Sequence, residues 1–405
     1  MKRSKLVRGI LFCGLLAGLL VPTLQGGDWT QFRGPGGTGA SDDTNLPVEW
    51  STTKNIRWKA DLPGKGLSSA VIAGDRVYVT TCSGPEEKRL HVLCFDPKTG
   101  KKLWERQFWA TGKTQCHPKT NMAAPTPVTD GKRVFALFAT ADVAALDRDG
   151  NLLWYRSLAS DYPTIGNNVG MAASPALYKD ILFVPMENVG DSFVAALDAK
   201  TGKNLWKKQR SQKINWTSPI VVERAGKTEV LFQSGDVLTA YEPETGKELW
   251  SFKGELSTIP SPTAGDGLVF APGGSLVAVK PGKEAKAVWD SNKLKSSYTS
   301  PVLYKGKLYT VNSVGIVTCT DPQTGNPIWQ SPRTKGPYAA TPVAAEDRLY
   351  LVNEAGQTFV LQLGDEPKII ATNPIEDTIL ATPSIAGGAI FLRSDKHLYC
   401  IGKNE

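Results

Sequence analysis

Three loop segments of this 405-residue chain concentrate side chains able to hold an ion or a ligand. In Met186-Glu187-Asn188-Val189-Gly190-Asp191, two carboxylates and an amide supply hard oxygens of the kind Ca²⁺ selects, so Glu187, Asn188 and Asp191 are the candidate metal ligands. Trp216 places a flat indole beside the amide of Asn215, while Asn167, Asn168 and Arg393 add amide and guanidinium donors for a small polar ligand. Cys116-His117-Pro118-Lys119-Thr120-Asn121 brings a thiol, an imidazole and an amide together, and His117 there could bind a ligand, hold a metal or accept a proton. The other two histidines, His91 and His397, fall in β-rich runs, which argues against a multi-histidine centre. Gly-x-Ser-x-Gly, His-Glu-x-x-His and Walker-type sequences are all missing, which removes the chemistries those motifs carry.

The elements that position these loops follow from composition and repetition. Hydrophobic residues make up 41% and charged residues 21%, with 39 Gly and 27 Pro, a balance that excludes disorder and coiled coil and reads as turn-rich. Lys2, Arg3, Lys5 and Arg8 precede the apolar run from Gly9 to Val21, the layout of a secretory signal peptide over residues 1–27. Its removal takes four positive charges from a formal +8, leaving a mildly basic chain without the clustered Lys and Arg that nucleic acid or an anionic membrane would require. With no other apolar run long enough to span a bilayer, the expectation is a monomer located outside the cytoplasm, in the periplasm or secreted.

Ser or Thr followed by Pro recurs at Pro127, Pro175, Pro219, Pro262, Pro301, Pro342 and Pro383, spaced by 48, 44, 43, 39, 41 and 41 residues. Ser68-Ser69-Ala70 stands one period earlier without the Pro. The units continue through further β-rich runs, several of them to an acidic turn such as Asp198-Ala-Lys-Thr-Gly202-Lys, and six close on a Trp: Trp104, Trp154, Trp206, Trp250, Trp289 and Trp329. Four short strands per roughly 40-residue unit is the signature of a β-propeller blade. The count predicts an all-β, eight-bladed propeller over residues 55–405. The segment from Asn55 to Leu62, with Trp58, should pair with the last unit and close the ring, and residues 28–54 should pack on it as an extension.

Cys94, Cys319 and Cys400 occupy the third-strand position filled elsewhere by Ala145, Ala196, Ala240 and Ala278, so they read as small buried residues. Cys82 and Cys116 remain as a candidate disulfide in loops on one face.

These units resemble the pyrroloquinoline quinone (PQQ) repeat in the Ser/Thr-Pro start, the Ala-Leu-Asp end of the third strand (Ala145-Leu146-Asp147, Ala196-Leu197-Asp198), the Thr-Gly-Lys turn and the Leu-Trp close. The opening from Asp28 to Gly39 is similar to that of secreted PQQ-binding-like β-propeller repeat proteins. The resemblance implies the propeller fold and two kinds of function. Quinoprotein dehydrogenases oxidise alcohols or sugars with PQQ and Ca²⁺, whereas BamB-like proteins are non-catalytic scaffolds in outer-membrane protein assembly. Under the first, Trp216 is the platform for PQQ, Arg393 a donor to it, and Glu187, Asn188 and Asp191 lie near Ca²⁺. The adjacent cysteines typical of quinoprotein alcohol dehydrogenases have no counterpart in this sequence.

Loops that lead into innermost strands, and loops that join second to third strands, open together around a propeller's channel. The leading expectation is a non-catalytic binding or scaffold module that holds a protein or a small ligand on that face and requires no cofactor. A PQQ- and Ca²⁺-dependent oxidoreductase is the alternative. A carbohydrate-binding propeller, with Trp216, Tyr298 and Tyr338 exposed among amides, is a further one.

Overall fold

Second and third strands of the units, such as Ile181–Met186 and Phe193–Asp198, are almost continuously apolar and buried on both faces, because each blade is sandwiched between two others. Outermost strands such as Leu152–Ser157 mix half-buried and exposed positions, having solvent along one edge. A computed structural model describes residues 27–403 and shows eight four-stranded antiparallel sheets. Seven of them use four consecutive strands. The eighth joins Ser384–Ala386, Ala389–Arg393 and His397–Gly402 to the N-terminal strand Ile56–Asp61, in a register that sets Trp58 against Cys400 and Asp61 against His397. The two ends of the chain therefore share one blade, and the ring has no unpaired edge at its seam.

One contact repeats between blades. The indole N–H of Trp58, Trp104, Trp154, Trp206 and Trp289 donates to a backbone carbonyl in the acidic turn of the next blade, at 2.8–3.0 Å. The ring lies against that turn's glycine so closely that a Cβ on Gly100, Gly150, Gly202, Gly246 or Gly325 would stand 2.6–2.7 Å from an indole carbon. Positive φ at each of these glycines makes the turn possible as well. Trp250 differs, because the fifth blade has Pro281-Gly282-Lys283-Glu284 in place of the turn. Its N–H donates instead to the buried Glu229 carboxylate, at 2.8 Å.

Opposite each Trp on the third strand sits a small residue: Cys94, Ala145, Ala196, Ala240, Ala278, Cys319 and Cys400 face Trp104, Trp154, Trp206, Trp250, Trp289, Trp329 and Trp58. The indole needs the space that a larger side chain would take. The five described cysteines are all free, so the Cys82–Cys116 disulfide does not form. The Cys82 thiol is buried within 3.6 Å of the Lys65 carbonyl, while Cys116 turns back to the carbonyl of Thr120, also at 3.6 Å.

Residues 27–50 run across the end of the ring opposite the loop face. Trp29 pairs with Ile72 of the first blade, Ala40 with Ala344 of the seventh, and the Thr38 carbonyl accepts from Leu303 of the sixth. Arg33 is buried between the fifth and sixth blades, donating to the carbonyls of Pro262 and Pro301, at 2.8 Å each, and to the Thr263 hydroxyl. The expected signal peptide lies outside the described residues. Among those described, no helix is long and apolar enough to cross a membrane.

Candidate functional site

The Ser or Thr that starts each blade does more than begin a strand. Ser69, Thr126, Ser174, Ser218, Ser261, Ser300, Thr341 and Thr382 are all buried, and together they line a cavity of about 140 Å³ on the channel axis. From Ser69 to Thr341, the backbone N–H of each donates to the hydroxyl of the next, at 2.9–3.1 Å, which gives seven links. The eighth link, from Thr382 to Ser69, is missing, and the Ser69 hydroxyl is buried without a partner.

Two residues before each hydroxyl stands a second ring: Leu67, Ala124, Ala172, Trp216, Ile259, Tyr298, Ala339 and Leu380. It forms a largely apolar collar broken by two aromatics. Phe32 of the extension also lines the cavity, at the end of this well away from the loop face.

The loop that leads into the second blade reaches across the mouth of this well. Lys119 makes a bidentate ion pair, at 3.0 and 2.8 Å, with Glu354 in the joining loop of the seventh blade, and those blades are not neighbours in the ring. Half-buried Trp216 is fixed by its indole N–H on the Gly170 carbonyl and its backbone N–H on Thr258, while Tyr298 is 49% exposed. Trp216 and Tyr298 are thus the two candidate aromatics that face the well.

Most of the other candidates are committed to the fold. Glu187 is buried, with one oxygen on Arg210 and the other on the Ser234 hydroxyl of the next blade; burial pushes its carboxyl up against the pull of Arg210. The Asn188 oxygen accepts the backbone N–H groups of Gly166 and Gly190, and its nitrogen donates to the carbonyls of Met186 and Asp191. Half-buried Asp191 is joined to that loop through its backbone, and among the described residues no group of three His, Cys, Asp or Glu could hold a metal.

Arg393 is fully buried at the seam, donating to the carbonyls of Ser68 and Thr80, and burial lowers its pKa to about 10. Asn215 is buried on Gln233 and Thr217; Asn167 is buried with its oxygen on the Val169 N–H; Asn168 is exposed. Exposed His117 accepts the Lys119 N–H through Nδ1. Tyr338, expected to be exposed, is buried with its hydroxyl on Thr334, because its loop folds back on itself.

PQQ and Ca²⁺, the cofactors implied by the repeat, therefore do not fit this residue set. Neither Glu187 oxygen nor the Asn188 oxygen is free, and Arg393 points into the seam. Sequence reasoning placed Lys119 in a loop but missed its pairing with Glu354, and it took the hydroxyls only as strand starts. Their unbroken choice of Ser or Thr in all eight units, where several turn-forming residues would serve, was the available signal.

Ring, collar, well and seam define a closed eight-bladed propeller with an axial cavity. The chain belongs to the family described as outer membrane protein assembly factor BamB, whose family model matches residues 33–185 and 190–405. It is 27% identical over 239 residues to a polyvinylalcohol dehydrogenase of Pseudomonas sp., a match covering 48% of this chain and 35% of that protein. It is also 27% identical over 227 residues to outer membrane protein assembly factor BamB of Burkholderia pseudomallei (strain K96243), covering 51% of this chain and 55% of that one. These matches thus span between about a third and about half of the curated relatives. A europium-containing methanol dehydrogenase superposes with a TM-score of 0.71 at 12% identity, over 93% of this chain and 98% of that one, a likeness of fold.

Proposed function

We propose that this protein is a non-catalytic binding or scaffold module that works as a monomer outside the cytoplasm and holds a protein or a small ligand at the loop face of the propeller. One observation carries the reading. Of the groups that a quinone and Ca²⁺ site would use, Glu187, Asn188 and Arg393 are spent between and within blades, whereas the mouth opens on a well whose lining includes no acidic or basic side chain. Membership of the BamB family supports the same reading.

The similarity to polyvinylalcohol dehydrogenase favours the second reading, a PQQ- and Ca²⁺-dependent oxidoreductase. Titrating the purified chain with PQQ and Ca²⁺, with a dye-linked assay on alcohols and sugars, separates the two. The expected result is no saturable binding at tens of micromolar PQQ and no dye reduction. One-to-one binding that Trp216→Ala abolishes, together with dye reduction, overturns the module reading.

A further inference from the structure

The eight hydroxyls on the floor of the well have a consistent polarity. Seven accept a backbone N–H from the preceding blade, and among the described residues none donates its own proton to a protein acceptor. A hydroxyl carries one donor and two acceptor sites, so the ring leaves eight O–H donors unused. The Ser69 hydroxyl, 1% exposed and lining the cavity, lacks any partner at all, a costly arrangement for a buried polar group unless something in the cavity answers it.

Charge points the same way. Arg33 and Arg393 are fully buried guanidiniums that hydrogen-bond only to carbonyls and hydroxyls, with no carboxylate. Each abuts the ring: Arg33 through the carbonyls of Pro262 and Pro301, which follow Ser261 and Ser300, and Arg393 through the Ser68 carbonyl next to Ser69. Burial lowers both, to about 9 and about 10, so both remain cations at neutral pH. Neither guanidinium is hydrogen-bonded to a carboxylate, although Asp395 lies near enough to Arg393 to raise its pKa, and positive charge beside a ring of donors favours an anion.

The collar sets the rest of the ligand. Leu67, Ile259 and Leu380 with Trp216 and Tyr298 surround the space above the hydroxyls and offer it an apolar wall. About 140 Å³ is room for roughly five waters at about 30 Å³ each, and hence for a compact organic anion.

We propose that the well binds a short-chain monocarboxylate, its carboxylate on the hydroxyl ring and its hydrocarbon end against Trp216 and Tyr298. This rests on the reading of the loop face as a ligand-holding surface. It adds the class of ligand.

The test is calorimetric titration of the full chain with butyrate and, as the neutral analogue of the same length, 1-butanol, in a chloride-free buffer at pH 7. Butyrate is expected to bind one to one, at least tenfold more tightly than butanol. In Ser69→Ala, which removes a hydroxyl that makes no protein hydrogen bond, the melting temperature should stay unchanged or rise while butyrate affinity falls at least fivefold. Ser261→Ala gives a second reading from the opposite side of the ring. Equal affinities for butyrate and butanol, no butyrate heat up to 10 mM, or a Ser69→Ala protein that binds as wild type overturns the proposal. These outcomes are independent of dye reduction with PQQ, so this proposal and the module reading can fail separately.

Discussion

The contact between each Trp and the glycine of the next blade makes a quantitative prediction at Gly202. In Gly202→Ala, the new Cβ would lie 2.7 Å from Cε3 of Trp154 and 2.9 Å from Cδ2, on a backbone with φ of +72°. The backbone term is small, because the left-handed cost of about 1–2 kcal/mol is partly offset by the reduced entropy of the unfolded chain, leaving about 1 kcal/mol. Displacing the indole costs more. Overpacking of this kind costs about 1–3 kcal/mol. The hydrogen bond from Trp154 to the Ala199 carbonyl, at 2.9 Å, adds about 1 kcal/mol when it is lost.

Gly306 is the control, since it has φ of +67° and nothing within 4 Å of where a Cβ would stand, so Gly306→Ala carries the backbone term alone. Gly202→Ala should therefore be the less stable of the two by about 2–4 kcal/mol, the sum of the clash and the lost bond. Urea unfolding followed by far-ultraviolet circular dichroism measures the difference, provided the slopes match the wild type, because a repeat array can lose cooperativity. Equal midpoints for the two variants would refute the interlock as a source of stability.

Three other perturbations test separate parts of the molecule. Glu187→Gln leaves the buried Arg210 guanidinium uncompensated and should cost about 3–5 kcal/mol in urea unfolding; a variant of wild-type stability would mean that this ion pair within the third blade, which also holds Ser234 of the fourth, does not support the fold. Burial lowers the pKa of His91, so the fold holds the imidazole neutral while the unfolded chain titrates near ~6.5. Stability should therefore fall as pH drops below about 6.5, and the slope between pH 7.5 and 5.5 should flatten in His91→Gln; an unchanged slope contradicts the assignment. Its neighbour Glu105 does not contribute in that window: burial would raise its carboxyl, but hydrogen bonds from Lys102, His91 and Gln107 hold it at about 2. Cys82, Cys94 and Cys400 are buried with thiols pushed up to about 12, so Ellman's reagent should label half-buried Cys116 well before the others in the native protein; rapid labelling of two or more thiols counts against the packing described.

The propeller was legible because each blade repeats the same local requirements. A Trp needs a small residue opposite and a glycine in the next blade, and that pairing of constraints writes itself into the sequence blade after blade with only local variation, as at Trp250. The orphan strand with Trp58 was readable for the same reason, since Cys400 stood waiting in the matching register. The candidate site was far less legible. Polar residues in loops look alike whether they face the mouth or wedge between blades, and Glu187, Asn188 and Arg393 turned inward because the blade interfaces left carbonyls, amides and a guanidinium that needed partners. The course of residues 27–50 under the ring had no periodic signature, because a segment that crosses many blades once obeys no repeat.

Closing the ring with Ile56–Asp61 against His397–Gly402 has a consequence for how the protein is made. The strand that completes the eighth blade is among the first to be synthesised and its partner among the last. At about 5–20 residues per second, the N-terminal strand waits on the order of 20–70 s with its hydrogen-bonding edge bare. During that interval the nascent chain is an open stack with an adhesive margin at each end, and a second such chain offers the same complementary margins. Two unfinished chains that met could therefore pair edge to edge, a hazard that closure of the ring removes.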